Sequence, residues 1–184
     1  MATVVQPATQ QAKPSPQQTN GHLSLADVDR AFADQPDREQ IGQIALRFLG
    51  QYFQRAALFR VQQGKIRGWM AGGEGIDSWM FQALELSLDE PSLFLNLARG
   101  SDLYVGAMPP LPTHQRLVQT WGGEFPRDCL LLPLRIRNRL AVVLYGDCGA
   151  RGLGEVDIEA LRQLEQKASM ALELCILKKK LNQL

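Results

Sequence analysis

The stretch CLLLPLRIRNRLAVVLYGD, residues 129–147, reads as two strands folded back on each other, and the rest of the chain arranges itself around it. Residues 129–136 and 140–147 are nearly unbroken apolar runs, and Arg137, Asn138 and Arg139 between them carry the turn. Alternation assigns Leu130, Leu132, Leu134, Ile136, Leu140, Val142 and Leu144 to one wholly aliphatic face. The other face holds Leu131, Pro133, Arg135, Ala141, Val143, Tyr145 and Asp147, and is mixed. Helices are expected on the aliphatic face, and a less tightly packed surface with room for a ligand on the mixed one.

Toward the amino terminus, Ala56 to Gln62 and Lys65 to Ala71 form a second hairpin about Gln63-Gly64, closed by Gly72, Gly73 and Gly75. Before it, Ile41, Ile44, Ala45, Phe48, Leu49 and Tyr52 recur at helical spacing, so a helix runs from Asp37 to about Phe53. An earlier helix opens at Ser24, which forms a capping pair with Asp27 and precedes Leu25, Val28 and Phe32 on one face. Residues 1–21 are rich in Gln, Pro, Thr, Ala and Ser, the composition of a disordered tail, which leaves residues 22–184 as a single domain.

Between the hairpins, residues 76–88 fit both a helical and an extended pattern. Short helices are expected at Ser92–Arg99 and Thr113–Trp121, with a strand at Leu103–Ala107 and a proline-forced loop at Pro109, Pro110 and Pro112. The chain closes on a long helix, about residues 154–184, with two apolar faces. Ile158, Leu161, Leu164, Ala168, Leu172 and Cys175 form a docking stripe, while Met170, Leu174, Leu177, Leu181 and Leu184 fall almost opposite with the spacing of a coiled-coil seam. The second stripe is an expected interface with another chain; the alternative is that Leu177, Leu181 and Leu184 pack on this chain's own amino-terminal helix.

Composition narrows the classes. With 184 residues, 45% of them hydrophobic, the chain can fill a real core, and a net charge of +1 gives no bulk attraction to nucleic acid or anionic membrane. Cys129, Cys148 and Cys175 are odd in number and lack a C-x-x-C spacing, so neither a disulfide framework nor a zinc site is indicated. No export signal or membrane span is visible, and a cytoplasmic location is expected.

The order helix, hairpin, short helices and loops, strand, helix, long hairpin and terminal helix resembles a GAF domain. Leu130 to Ile136, the Arg137-Asn138-Arg139 turn and Leu140 to Asp147 look like that family's late "PL, turn, apolar strand" signature. The likeness covers about residues 38–184 and leans toward divergent modules of bacterial, especially deltaproteobacterial, signalling proteins, where Pro91-Ser92-Leu93-Phe94 and Tyr104-Val105-Gly106 have counterparts. It implies an α+β fold, a GAF-like central antiparallel sheet with amino- and carboxy-terminal helices packed on one face. It also implies a sensory or regulatory role, dimerisation or partner docking through terminal helices, and a small-molecule cavity on the opposite sheet face. The cyclic-nucleotide signature and the Cys-His pair of bilin attachment are both missing, so no cofactor is expected. The resemblance places no kinase, receiver or effector domain in this sequence, so the module is expected to act on partners or to belong to a longer protein.

Parity places Leu58, Arg60, Arg67, Trp69, Arg135, Tyr145 and Asp147 on the presumed pocket face. Arginine forks beside aromatic rings suit a small anion; an Arg135–Asp147 ion pair sealing the face is the alternative. His114 is expected at a solvated helix start, and neither metal ligands nor catalytic residues are assigned. Cys129 and Cys148 lie at the outer ends of the long hairpin, which leaves a cysteine-dependent redox enzyme, like the superfamily's methionine sulfoxide reductase, as the alternative function.

Overall fold

The computed structural model describes residues 21–34 and 36–183. The tail expected at residues 1–21 lies outside them but for Gly21, as does Leu184 of the expected interface. The elements are α1 (Leu25–Ala33), α2 (Arg38–Leu49), β1 (Arg55–Gln62), β2 (Lys65–Gly73), α3 (Ser78–Ala83), β3 (Glu85–Ser87), α4 (Leu93–Ala98), β4 (Tyr104–Gly106), α5 (Pro112–Gln119), β5 (Cys129–Ile136), β6 (Arg139–Asp147) and α6 (Ile158–Leu181). The strands form one antiparallel sheet in the order β3-β2-β1-β6-β5-β4. The undecided segment at residues 76–88 is thus both things in turn, a short helix followed by an edge strand.

Local chemistry sets the helix starts. The Ser24 hydroxyl accepts from the Asp27 N–H at 3.2 Å while the Asp27 carboxylate accepts from the Ser24 N–H at 3.0 Å. Asp37 and Gln40 repeat the same reciprocal cap at 2.8 Å in each direction. The terminal helix starts at Ile158, with the Asp157 carboxylate accepting from the Ala160 N–H, rather than at residue 154, because Gly154 sits at φ +60° and cannot continue a right-handed helix.

Both long hairpins close on two-residue turns with both central residues at positive φ, Gln63-Gly64 and Arg137-Asn138, so Arg139 belongs to β6. Each hairpin also carries a bulge. Leu58 faces Met70 but Phe59 faces Gly68, which leaves Trp69 as the extra residue; Leu134 faces Val142 but Arg135 faces Leu140, which leaves Ala141 as the extra one. The second bulge reverses the parity of the β6 start: Ala141 packs with the helix-side core and Leu140 with the opposite one, the reverse of strict alternation.

The sheet separates two cores. α1, α2 and α6 cover one face through Val28, Ile41, Ala45, Phe48, Leu161, Leu164, Ala168 and Leu172, which pack on Leu58, Leu130, Leu132, Leu134 and Leu144. The docking stripe of α6 is used as its spacing requires. The mixed face is not a loosely packed one. α3, α4 and α5 close it with Phe81, Phe94, Leu97, Leu117 and Val118 over Phe59, Leu131, Val143 and Tyr145. Phe59 is the hub, with ring centroids 5.2 Å from Phe81, 5.1 Å from Phe94 and 6.3 Å from Tyr145. Such aromatic pairs add about 0.5–1.5 kcal/mol each beyond area burial, so side chains of this chain occupy the volume where a ligand cavity was expected.

Candidate functional site

The seven residues expected to line one pocket are divided by the register between two faces, with Arg67 directly opposite Arg60 on the helix side. Leu58 is directly opposite Leu144, so Leu58, Arg60 and the bulged Trp69 lie on the helix side. Tyr145 is opposite Ala57 and Asp147 opposite Arg55, so both lie on the aromatic side. Arg135 lies about 20 Å along β5 from the Asp147 end, six residues at about 3.4 Å each. It donates to the carbonyls of Leu97 at 2.7 Å and Ser101 at 3.1 Å, tying β5 to the carbonyl end of α4. The expected Arg135–Asp147 pair therefore does not form.

Asp147 is instead the centre of a closed network. Arg55 donates through Nε to both carboxylate oxygens at 3.1 Å and through Nη2 at 2.7 Å; the Tyr145 hydroxyl and the Gly149 N–H donate to it at 2.7 Å. Asp147 is wholly buried, and the Arg55 guanidinium lies 5.2 Å from the ring of Trp121, which stacks on Tyr145. Burial, reinforced by the Asp147 charge, holds the Tyr145 hydroxyl well above its ordinary pKa. With both oxygens of Asp147 engaged, this network is a structural clamp between β1, β6 and the following turn.

The cysteines also separate. Cys129 is opposite Asp147 and buried on the aromatic side, where desolvation pushes its thiol up to about 12. Cys148 packs on the helix-side core and its Sγ reaches the Tyr52 carbonyl at 3.7 Å. The strand pleat sends these neighbours of Asp147 to opposite faces, so they are not the adjacent pair that hairpin symmetry suggested. All three cysteines are free thiols, and a thiol with so high a pKa is a poor nucleophile.

His114 is buried rather than solvated. Its Nδ1–H donates to the Pro109 carbonyl at 2.7 Å, and its Nε2 accepts from the Leu93 N–H, the first of α4, at 3.0 Å. One neutral tautomer satisfies both bonds, and desolvation lowers the imidazole pKa. Sequence spacing offered no sign of this role, because the imidazole's partners are two backbone groups from other segments.

The helix side retains an opening. Between the ends of β1, β2 and β6 and the outer half of α6 is a cleft of about 190 Å³, with Trp69, Val142, Leu172 and Ile176 on its apolar walls and Arg38 and Arg60 at its polar edge. The Arg60 guanidinium lies 5.5 Å from the Trp69 ring centroid, and the Trp69 indole N–H donates to Glu39 at 2.8 Å. Arg60 and Trp69 of the expected site thus meet here, on the face opposite to Tyr145 and Asp147.

A second feature is the outer stripe of α6. Met170 is 66% exposed, Leu174 57%, Leu177 39% and Leu181 69%. Leu25, Val28 and Phe32 of α1 are committed to this chain's own core. No helix among the described residues is long and apolar enough to cross a membrane.

No protein-family profile matches the sequence, and no curated protein is similar enough to count as a relative. Solved structures do match the fold. A GAF domain/HD domain protein from Geobacter sulfurreducens aligns over 79% of this chain and 98% of its own, at 14% identity and a TM-score of 0.61. The phycoerythrobilin-bound GAF domain of a cyanobacterial phytochrome aligns over 85% and 98%, at 10% identity and a TM-score of 0.65. The free methionine-R-sulfoxide reductase of Neisseria meningitidis, solved with its substrate, aligns over 84% and 89%, at 14% identity and a TM-score of 0.63. The chain has a GAF-like fold, a scaffold that these neighbours use in a chromophore-bound domain and in an enzyme.

Proposed function

We propose that this GAF-like chain is a non-enzymatic sensory or regulatory module that acts as a homodimer through the outer half of α6. The exposed stripe Met170, Leu174, Leu177 and Leu181 carries the proposal. Its 4-3-4 spacing is that of a coiled-coil seam, and such a row of large apolar side chains on one helix is far from the scattered exposure of an ordinary surface. A groove of about 240 Å³ bordered by Phe32, Pro36 and Leu174 extends the apolar surface toward α1.

A second copy fits the flanking charges. With Leu174 and Leu177 as seam positions, Glu173 and Lys178 take the two positions beside the seam, and in a parallel pair Glu173 of one copy faces Lys178 of the other. The inner half of the same helix packs on the sheet, so a change in the sheet would alter the angle between the paired helices. A solved segment of a methyl-accepting chemotaxis protein and the solved GAF domain of a two-component sensor histidine kinase share this fold, which supports such a role.

Light scattering over a concentration series tests it. The full chain is expected at twice its monomer mass, and the double variant Leu177→Asp, Leu181→Asp at the monomer mass with an unchanged far-UV circular dichroism spectrum. A monomeric parent chain at the highest concentration, or a variant that stays dimeric, overturns the proposal.

A further inference from the structure

The helix-side cleft has the composition of a ligand site that the sheet geometry leaves electrostatically unbalanced. Across the strands, Glu85, Arg67, Arg60 and Val142 stand side by side in one row. Glu85 is engaged by Arg67 at 2.8 Å and also by Lys65. Arg60 therefore stands directly opposite a like charge, with an apolar residue on its other side, an arrangement that is unfavourable in an isolated sheet. Among the described residues no carboxylate lies within ion-pair distance of Arg60, and its buried Nε has no hydrogen-bond partner.

Arg38, at the first turn of α2, borders the same cleft. The neighbouring acid in the chain, Glu39, is already used: one oxygen accepts from the Trp69 indole and the other is 3.6 Å from Arg38. The Trp69 ring holds the guanidinium of Arg60 from below, which orders the side chain and leaves N–H groups available for a planar anion. Beyond the two cations, the Gln62 amide and the Cys175 thiol, the walls are apolar, with Trp69, Val142, Leu172 and Ile176 among them, and offer little to a fully hydrated ion. At about 30 Å³ per water-sized group, a volume of about 190 Å³ holds about six such groups, a carboxylate and the nearer carbons of a short hydrocarbon chain whose end reaches the open mouth.

We infer that this cleft binds a small amphiphilic monocarboxylate, its carboxylate on Arg60 with Arg38 beside it and its chain between β6 and α6. Carboxylate is favoured because the guanidinium fork matches its two oxygens, and a single negative charge balances the one uncompensated arginine of the row. The site is on the opposite side of the sheet from the cavity that the family resemblance implies, and it requires no second copy of the chain.

Calorimetric titration of the full chain with hexanoate tests the assignment, with acetate, inorganic phosphate and hexanol as comparison ligands. Hexanoate is expected to bind, and acetate, which lacks the chain, and hexanol, which lacks the charge, to bind about tenfold or more weakly. Arg60→Gln should weaken hexanoate by a similar factor, about tenfold or more. Ile176→Trp, placed at a partly exposed position on the rim, should block the cleft while leaving the circular dichroism spectrum unchanged. Absence of hexanoate binding, equal binding of hexanol, tighter binding of phosphate, or an affinity unaffected by both substitutions would each overturn it.

Discussion

Arg55 and Arg60 lie five residues apart on one strand, and each has a tryptophan ring beside its guanidinium, yet they face opposite cores with opposite outcomes. Arg55 is opposite Asp147, which meets it with a bidentate, fully buried carboxylate. Arg60 is opposite Val142 on one side and Arg67 on the other and finds no acid among the described residues. An arginine beside an aromatic ring is thus not in itself a binding site. The cross-strand neighbour decides whether it clamps the fold or remains available to a ligand.

The contrast breaks most visibly at the clamp. Asp147→Ala leaves Arg55, whose side chain is only 11% exposed, without its counter-charge, and should cost about 3–5 kcal/mol in urea unfolding. Arg60→Gln should stay within about 0.5 kcal/mol in the absence of ligand. Equal costs would mean that the two arginines do the same structural work.

A pair of glycines makes a gentler version of the comparison. A Cβ at Gly68 would lie 1.9 Å from the Phe81 carbonyl oxygen, a backbone atom of the closed face that cannot move alone, so Gly68→Ala should cost at least about 1–3 kcal/mol. At Gly42 the obstacles are the tips of Met70 and Trp69 at 2.9 Å beside the open face. Those tips can shift, and alanine gains about 1 kcal/mol of helix propensity there, so Gly42→Ala should change stability much less. Thermal unfolding of the two variants side by side measures how far each face gives.

The aromatic face should also respond to acid. His114 is held neutral with its pKa lowered, so the unfolded chain takes up the proton first. Its contribution is intact above the unfolded value of about 6.5 and falls as the pH drops from there toward the lower folded value. A pH series of unfolding free energies should therefore show a decline below that point that is reduced in His114→Gln; an identical slope in both proteins would remove the imidazole from the account. The smallest effect concerns the thiols. A thiol reagent should modify Cys148 and Cys175, which are partly exposed, before the buried Cys129, and all three reacting at one rate only on unfolding would sharpen the view that no cysteine is catalytic.

Much of the architecture was readable from short-range pattern. The caps at Ser24 and Asp37 use neighbours three residues away, and the hairpins turn where two residues can take positive φ. The docking stripe of α6 follows from a period of 3.6. Alternation within β5 and β6 was sound until Ala141, where a bulge inserts one residue and exchanges the roles of Leu140 and Ala141. Parity within a strand was legible as well, but which face of β1 matches which face of β6 was not, and so Leu58, Arg60 and Trp69 were grouped with Tyr145 and Asp147. His114 was missed for a similar reason: its hydrogen bonds go to the backbone of Pro109 and Leu93, which no side-chain motif announces.

From the sequence alone came most of the elements, the caps at Ser24 and Asp37, the places of the two hairpins, the α+β class and the two apolar stripes of α6, since each depends on side chains a few positions apart. Only the tertiary structure decided that the mixed face is filled, that Asp147 belongs to Arg55, and that Arg60 is left over a cleft beside α6. Those outcomes depend on strand register and on which distant side chains fill a given volume, and neither quantity is written in the spacing of residues along one segment.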